Sequence, residues 1–219
     1  MYVARPSLIA KHYTFENYVD LFTKTEFPRA LLNSLMIAFL TTVCCLLISI
    51  LGSYAMTRLK YPGRRFFKTS IIFSYLIPTA VLFVPMYVFV SKLGFYDNKW
   101  ALLIIYPTTV VPYCCYMLMS YFKAIPYALE EAALIDGCTR MKSLRYIITP
   151  IALPGIAVVA TFAFTMSWNE YLYAMIMTTS PAQQTAVVAI SSFKYADSAI
   201  WGRIMAASVL TSLPVTIIY

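Results

Sequence analysis

Charge is scarce in this chain. Asp, Glu, Lys and Arg make up 12% of its 219 residues, about half the share of an ordinary soluble domain. Acidic residues are few, and His12 is the only histidine, which argues against a histidine-based metal site. No GxxxxGK[ST] or GxGxxG loop occurs, so the chain has no recognisable nucleotide site of its own. No nucleophile–base constellation stands out either, and the chain reads as something other than an enzyme, with no cofactor. The five cysteines, Cys44, Cys45, Cys114, Cys115 and Cys138, have no metal-ligand spacing. Adjacent cysteines rarely build a disulfide framework, so they read as small apolar fillers. The opening MYVARPSLIAKHY lacks the apolar core of a signal peptide. No ten-residue alternation suggests a barrel.

What is abundant is apolar: 61% of residues are hydrophobic, in long runs. Backbone polar groups inside a bilayer must be satisfied within each segment, so such runs imply an all-α, polytopic helical bundle in contact with membrane lipid. About five spans are predicted, near 30–54, 69–91, 100–122, 151–177 and 201–219. Residues 1–29 read as an extracytoplasmic segment, with a short surface helix from Thr14, its cap, to Phe22. Residues 30–219 read as the transmembrane domain, with a loop at 123–150. Asn33, Ser34, Thr41, Thr42 and Ser49 give the first span a mildly polar side suited to packing against other helices.

The net charge of +8 does not call for nucleic acid, because the basic residues lie mainly in short loops. Arg58, Lys60, Arg64, Arg65 and Lys68 crowd one loop without an acid, marking the cytoplasmic side, whereas the 92–99 loop fits the outside. This contrast places residue 1 outside and the 123–150 loop inside, although the totals on the two sides are nearly equal. Pro78 and Pro85 interrupt the second span, as a structural bend or as a hinge. Pro107 and Pro112 lie in the third.

The most polar stretch of the second half is PYALEEAALIDGCTRMKSLRYIITPIALPG, residues 126–155. Pro126 suits a first helical turn, and Glu130 and Glu131 then fall near the positive end of the dipole. Leu129, Ala132 and Ala133 form a small apolar face, and Gly137 is a helix stop. A second short helix follows Thr139, with Met141, Leu144 and Ile148 on one side and Pro150 and Pro154 limiting its length. Two short helices with a sharp bend make a knob for a partner's socket.

The series Glu131-Ala132-Ala133, Asp136-Gly137 and Ile147-x-x-Pro150 resembles the coupling-loop signature of bacterial ABC importer permeases, in the carbohydrate branch typified by the maltose permease pair. Ser167-Trp168-Asn169-Glu170-Tyr171 is also similar to that branch. The resemblance implies the type I importer fold in the bacterial inner membrane. Its expected partners are a second permease subunit, separate ATPase subunits that hydrolyse ATP, and an extracytoplasmic solute-binding protein.

The implied activity is alternating-access transport of a sugar, oligosaccharide or polyol. Glu131 would meet a basic ATPase residue, Ala132 and Ala133 would permit close approach, Gly137 would turn the chain, and Asp136 would cap the turn or touch the partner. Set against the resembled family, a span before residue 30 and a basic tail after Tyr219 are missing, so the sequence reads as a fragment or as incomplete at its start. Asn169 and Glu170 are candidate pathway residues. About 29 Å of helix separates Glu170 from Ile151, so the alternative is a helix-end carboxylate beside an interfacial belt of Trp168, Tyr171 and Tyr173. Residues 178–200 form an outer loop that either reaches the binding protein or lies on the surface. Alternative functions are transport of another solute such as glycerol phosphate, a membrane scaffold, or an intramembrane enzyme, which would need paired polar groups drawn from Asn33, Asn169 and Glu170.

Overall fold

A computed structural model describes residues 14–193 and 201–219. Regular structure among these residues is entirely helical. Glu16–Thr23 (α1) forms where a short helix is predicted, but Phe15 and not Thr14 stands at its N-cap; Thr14 Oγ1 still accepts the Glu16 N–H at 3.1 Å. Phe27–Arg58 (α2) has 32 residues and, with Pro28 in its first turn, extends beyond the predicted 30–54 at both ends. At about 1.5 Å per residue it is longer than the ~30 Å hydrocarbon layer. It is the post of the bundle, packed along Leu102–Ala124 (α5) and Leu153–Trp168 (α9).

The polar side of α2 faces inward: Asn33, Ser34, Thr41, Thr42, Ser49, Ser53 and Thr57 are all buried. Ser53 Oγ donates to the Cys115 carbonyl of α5 at 3.1 Å. Such small hydroxyl residues let two helices approach closely while bonding each other's backbone. Gly155 gives the same closeness between α9 and α5, because a Cβ there would lie 2.5 Å from the Tyr121 ring.

The predicted span at 69–91 is not one helix. Arg64–Leu76 (α3) and Thr79–Lys92 (α4) meet at 99°. Pro78 cannot donate a backbone bond and pushes Ile77 into an extended conformation (ψ 121°), which ends α3. Pro85 is carried inside α4, as Pro107 and Pro112 are inside α5. A 3-10 turn, Lys99–Ala101, leads into α5.

The predicted 151–177 span is also broken. After α9 the chain leaves helical form at Asn169 and restarts as Leu172–Met177 (α10). Ala186–Ser192 (α11) folds back against α2 and Trp201–Ile218 (α12), so the described part of the 178–200 loop is packed on the bundle. Its residues 194–200 lie outside the described residues, as do residues 1–13. Among the described residues, three helices are long and apolar enough to cross a membrane, or up to five if each bent pair counts as one span. Cys45, Cys114 and Cys115 are buried and Cys44 faces outward, all as free thiols.

Candidate functional site

The 126–155 stretch folds as two helical pieces joined at a tight turn. Ile125 and Pro126 are extended, so Pro126 stands just before Tyr127–Ile135 (α6) rather than in its first turn. At the other end Gly137 adopts φ +85°. The Cys138 N–H reaches the Ala133 carbonyl at 2.9 Å, and the Gly137 N–H reaches that of Leu134 at 3.2 Å. This paired closure is the left-handed helix stop that glycine favours. Nothing crowds the missing Cβ, so conformation alone selects glycine here.

Thr139 opens Arg140–Ser143 (α7), its Oγ1 accepting the Lys142 N–H at 3.3 Å. Contrary to expectation, Pro150 does not end this helix. A π turn over Leu144–Ile148, in which the Thr149 N–H bonds back to Leu144, carries the chain into Thr149–Ile151 (α8). That widened ladder tolerates a residue without an N–H. The turn to α9 follows at Ala152, where the axis bends by 81°. Leu144 and Ile148 face the core, but Met141, predicted beside them, is exposed.

The two faces of α6 differ sharply. Glu130 and Ala133 turn inward, while Glu131, Ala132, Ile135 and Asp136 are exposed. Leu129, expected to share an apolar face with Ala132 and Ala133, is also exposed. Glu130 is 3% exposed and is the hub of a polar junction. Tyr54 Oη donates to its Oε1, Arg140 Nη1 lies 3.4 Å from the same oxygen, and Arg58 Nε lies 3.9 Å from Oε2.

Arg58 does more than face Glu130. Its Nη2 donates to the carbonyls of Phe122 and Ile125 at the end of α5, and its guanidinium stacks over the Tyr127 ring at 4.2 Å. Arg64 does the same for the end of α2, with Nε to Met56 O at 2.8 Å and Nη2 to Thr57 O at 2.7 Å. Tyr127 Oη also donates to Thr57 O, at 2.6 Å. Orphan carbonyls at two helix ends are thereby satisfied by two arginines and a tyrosine. The sequence predicts Arg58 in a short basic loop. The longer α2 instead places it on the helix face that meets α5. A recess of about 870 Å³ beside the junction is lined by Arg58, Lys60, Arg64, Glu130, Glu131 and Arg140, among others.

Ile147 is half-buried and Pro150 exposed on the second piece of the loop. At the far end of α9, Glu170 accepts the Tyr173 and Ala174 N–H groups at 3.1 and 3.2 Å. It caps α10, which explains the break that a continuous-span reading missed. The proposed aromatic belt is not there. Trp168 and Tyr173 are in the core, donating to Thr211 O at 3.1 Å and Thr79 O at 3.2 Å. Asn169 is exposed and borders a pocket of about 400 Å³ whose other walls include Ser208, Thr211, Ser212 and Thr216 of α12.

Asn33 lies elsewhere, donating to Ala182 O and Gln184 O at 3.1 and 3.0 Å and accepting from Lys99 Nζ at 2.7 Å. Asn33 is therefore engaged with the 182–184 segment, and Glu170 with the start of α10. Tyr54, Arg58 and the α12 hydroxyls were missed from sequence. The only available signal was the i, i+4 spacing of Tyr54 and Arg58 at the end of a span.

A profile of the family described as binding-protein-dependent transport system inner membrane component matches residues 48–219. The chain belongs to that family. It is 37% identical to the inner membrane ABC transporter permease protein YcjP of Escherichia coli (strain K12), over 98% of this chain and 77% of the relative. It is 34% identical to the trehalose/maltose transport system permease protein MalG of Thermococcus litoralis, over 96% of this chain and 77% of that one. In fold it is similar to a chain from the crystal structure of a bacterial ABC transporter involved in the import of the acidic polysaccharide alginate. That match has TM-score 0.82 and 22% identity, and covers 94% of this chain and 77% of the other. The protein is thus an inner-membrane ABC importer permease component with the type I fold.

Proposed function

We propose that this chain couples movement of ATPase subunits to alternating access for a sugar, oligosaccharide or polyol. It works beside a second permease subunit and receives solute from an extracytoplasmic binding protein. The observation that carries this reading is the two-faced α6. Its inner face is bolted through Glu130 to α2 and, through Arg58, to the end of α5. Its outer face leaves Glu131, Ala132, Ile135 and Asp136 uncovered. A push on that outer face is passed to the longest helix of the bundle, because a short helix held at its flank moves as one body. Glu131 meets a basic ATPase residue, Ala132 allows close approach, and Ala133, Ile147 and Pro150 shape the support. Asp136 and Gly137 set the turn that ends the contact face.

The 123–150 loop is the cytoplasmic side on this reading. The basic residues Lys60, Arg64, Arg65, Lys68 and Lys123 support it, because they cluster at the same end of the bundle. The sugar class is supported by the relative named for trehalose and maltose. The pocket at Asn169, a largely apolar wall of Val187, Ile190 and Val215 edged by hydroxyls of α12, is the candidate place for a sugar ring on this reading. Glu170 shapes that pocket by holding the helix break open.

The test is ATP-driven uptake of a panel of sugars by the assembled importer in vesicles. Glu131→Ala lowers uptake about tenfold or more, the scale of one lost charge-assisted contact, with unchanged amounts of chain in the membrane. Uptake equal to wild type overturns the coupling role. Turnover of a substrate without ATP overturns the transporter reading itself.

A further inference from the structure

The recess of about 870 Å³ beside the Glu130 junction holds more charge than the junction uses. Its lining includes Arg58, Lys60, Arg64, Arg140, Glu130 and Glu131. Four of these have a role already. Arg58 faces Glu130, Arg64 holds the carbonyls of Met56 and Thr57, and Glu131 is the proposed coupling contact. Lys60 and Arg140 remain. None of the four ion pairs among the described residues includes Lys60. Arg140 reaches Glu130 Oε1 through one nitrogen at 3.4 Å, with its side chain 56% exposed. That oxygen already accepts from Tyr54 Oη, so Arg140 is a second partner where one suffices. Tyr54 Oη also lies 3.4 Å from the Arg140 carbonyl, which steadies the backbone there while leaving the side chain free to swing.

A second observation lies inside the junction. Glu130 Oε2, Arg58 Nε and Arg58 Nη1 are enclosed and have no hydrogen-bond partner. Nε and Oε2 stand 3.9 Å apart, about an ångström beyond a charge-assisted bond. Orphaned charged groups are costly inside a protein. The pair is slack because Glu130 is shared with Tyr54 and Arg140 through its other oxygen. An outside anion that draws Arg140 away lets the carboxylate close on Arg58. The surroundings indicate what carries that anion. Ile135 and Met141 stand bare, 86% and 60% exposed, on the two helices that wall the recess. Bare apolar side chains around unpaired cations fit a protein surface that carries an acid, rather than a free ion.

We propose that a carboxylate side chain of the docked ATPase subunit enters this recess and binds Lys60 and Arg140. The Arg140 guanidinium forks onto it in place of Glu130, and the Arg58–Glu130 pair closes to full bonding distance. The segment between α2 and α3 becomes a second contact beside α6, and docking itself tightens the joint that carries the movement. This inference rests on the reading of the loop as the ATPase-facing end.

The experiment uses the chain assembled with its second permease in nanodiscs and titrated with the purified ATPase subunit. K60Q/R140Q is expected to weaken ATPase binding about tenfold, and added salt to weaken wild-type binding more than the variant's. A water-soluble carbodiimide condenses an amine and an adjacent carboxylate into an amide, the reagent taking up the water. It is expected to join Lys60 to an Asp or Glu of the ATPase, identified by mass spectrometry. K60R keeps the affinity and loses that cross-link. Without ATPase, R140Q leaves the melting temperature of the chain unchanged, because Glu130 closes on Arg58. A lower melting temperature overturns the exchange of partners. Equal ATPase affinity of wild type and K60Q/R140Q overturns the contact, as does the absence of a Lys60 cross-link to the ATPase. If Glu131→Ala still impairs uptake in that case, the coupling role stands and this contact alone falls. Failure of the wild-type assembly to bind the ATPase overturns both.

Discussion

The two ends of the bundle are held by different chemistry. At the loop end, Tyr54, Arg58, Glu130 and Arg140 join three helix termini through ionised groups, with the Arg58 side chain fully enclosed. At the opposite end the ionised groups are not enclosed as Arg58 is. Asp20 pairs with Arg203 at 2.7 Å while partly exposed, Asp97 and Lys99 bond neutral partners, and neutral amides and hydroxyls make the remaining ties of loops to helices. Asn33 holds residues 182 and 184, Ser34 Oγ accepts the Ala186 N–H at 2.8 Å, and the Asn98 N–H reaches Met177 O at 2.9 Å. A buried charge is destabilised strongly once its partner is removed, so an ionic junction has one stiff arrangement. Neutral bonds to backbone are individually modest and can be exchanged. The contrast suits an end that transmits force and an end whose loops contact solute or partner.

The largest break in this contrast comes from Glu130→Ala. It leaves the Arg58 charge enclosed without its carboxylate and costs about 3 kcal/mol, read as a lower melting temperature of the purified chain. Glu131→Ala, one residue away but exposed, leaves that temperature unchanged while impairing uptake. Equal effects of the two variants on stability would erase the distinction between the faces of α6. Gly155→Val is next. Its side chain meets the Tyr121 ring and costs about 2 kcal/mol by overpacking, again read by melting.

At the opposite end the effects are smaller. Asn33→Ala removes the bonds to Ala182 and Gln184 and costs about 1 kcal/mol. It is seen first as faster proteolysis within residues 178–186, before any change in global melting.

The smallest effect is a pH dependence. Asp97 accepts from Ser180 N–H at 2.8 Å and from its hydroxyl, and these bonds hold its carboxyl below the usual carboxylate value. Its folded value is depressed, so its contribution to stability is fully present above about 3.8 and is lost as pH falls through the lowered value. Melting followed from pH 5 to pH 2 falls more steeply for wild type than for Asp97→Asn. Asparagine also accepts the φ of +47° at that position. Parallel curves would show that Asp97 does not contribute.

Much of this was legible from residue order. The apolar runs placed α2, α5 and α12, because a segment that must satisfy its own backbone in lipid leaves a long uncharged stretch. The helix stop at Gly137 and the cap at Thr139 were legible because both act within a few residues of chain. Pro78 was visible as an interruption, but a 99° break and a gentle kink look alike in sequence. The resemblance of residues 131–150 and 167–171 to importer permeases led to the family that the profile match then established.

What the sequence by itself determined is the class of the molecule: helical, membrane-embedded, with a basic end and a polar knob between spans. Hydrophobic length, charge asymmetry and local turn chemistry are properties of neighbouring residues. Only the tertiary structure decided that Glu130 looks inward while Glu131 looks out, and that Arg58 closes the end of α5 rather than a loop. It also decided that Glu170 caps a restarted helix and that Trp168 and Tyr173 lie in the core. Each of these outcomes depends on groups from residues far apart in the chain reaching the same few ångströms, and Tyr54 and Glu130 are 76 positions apart.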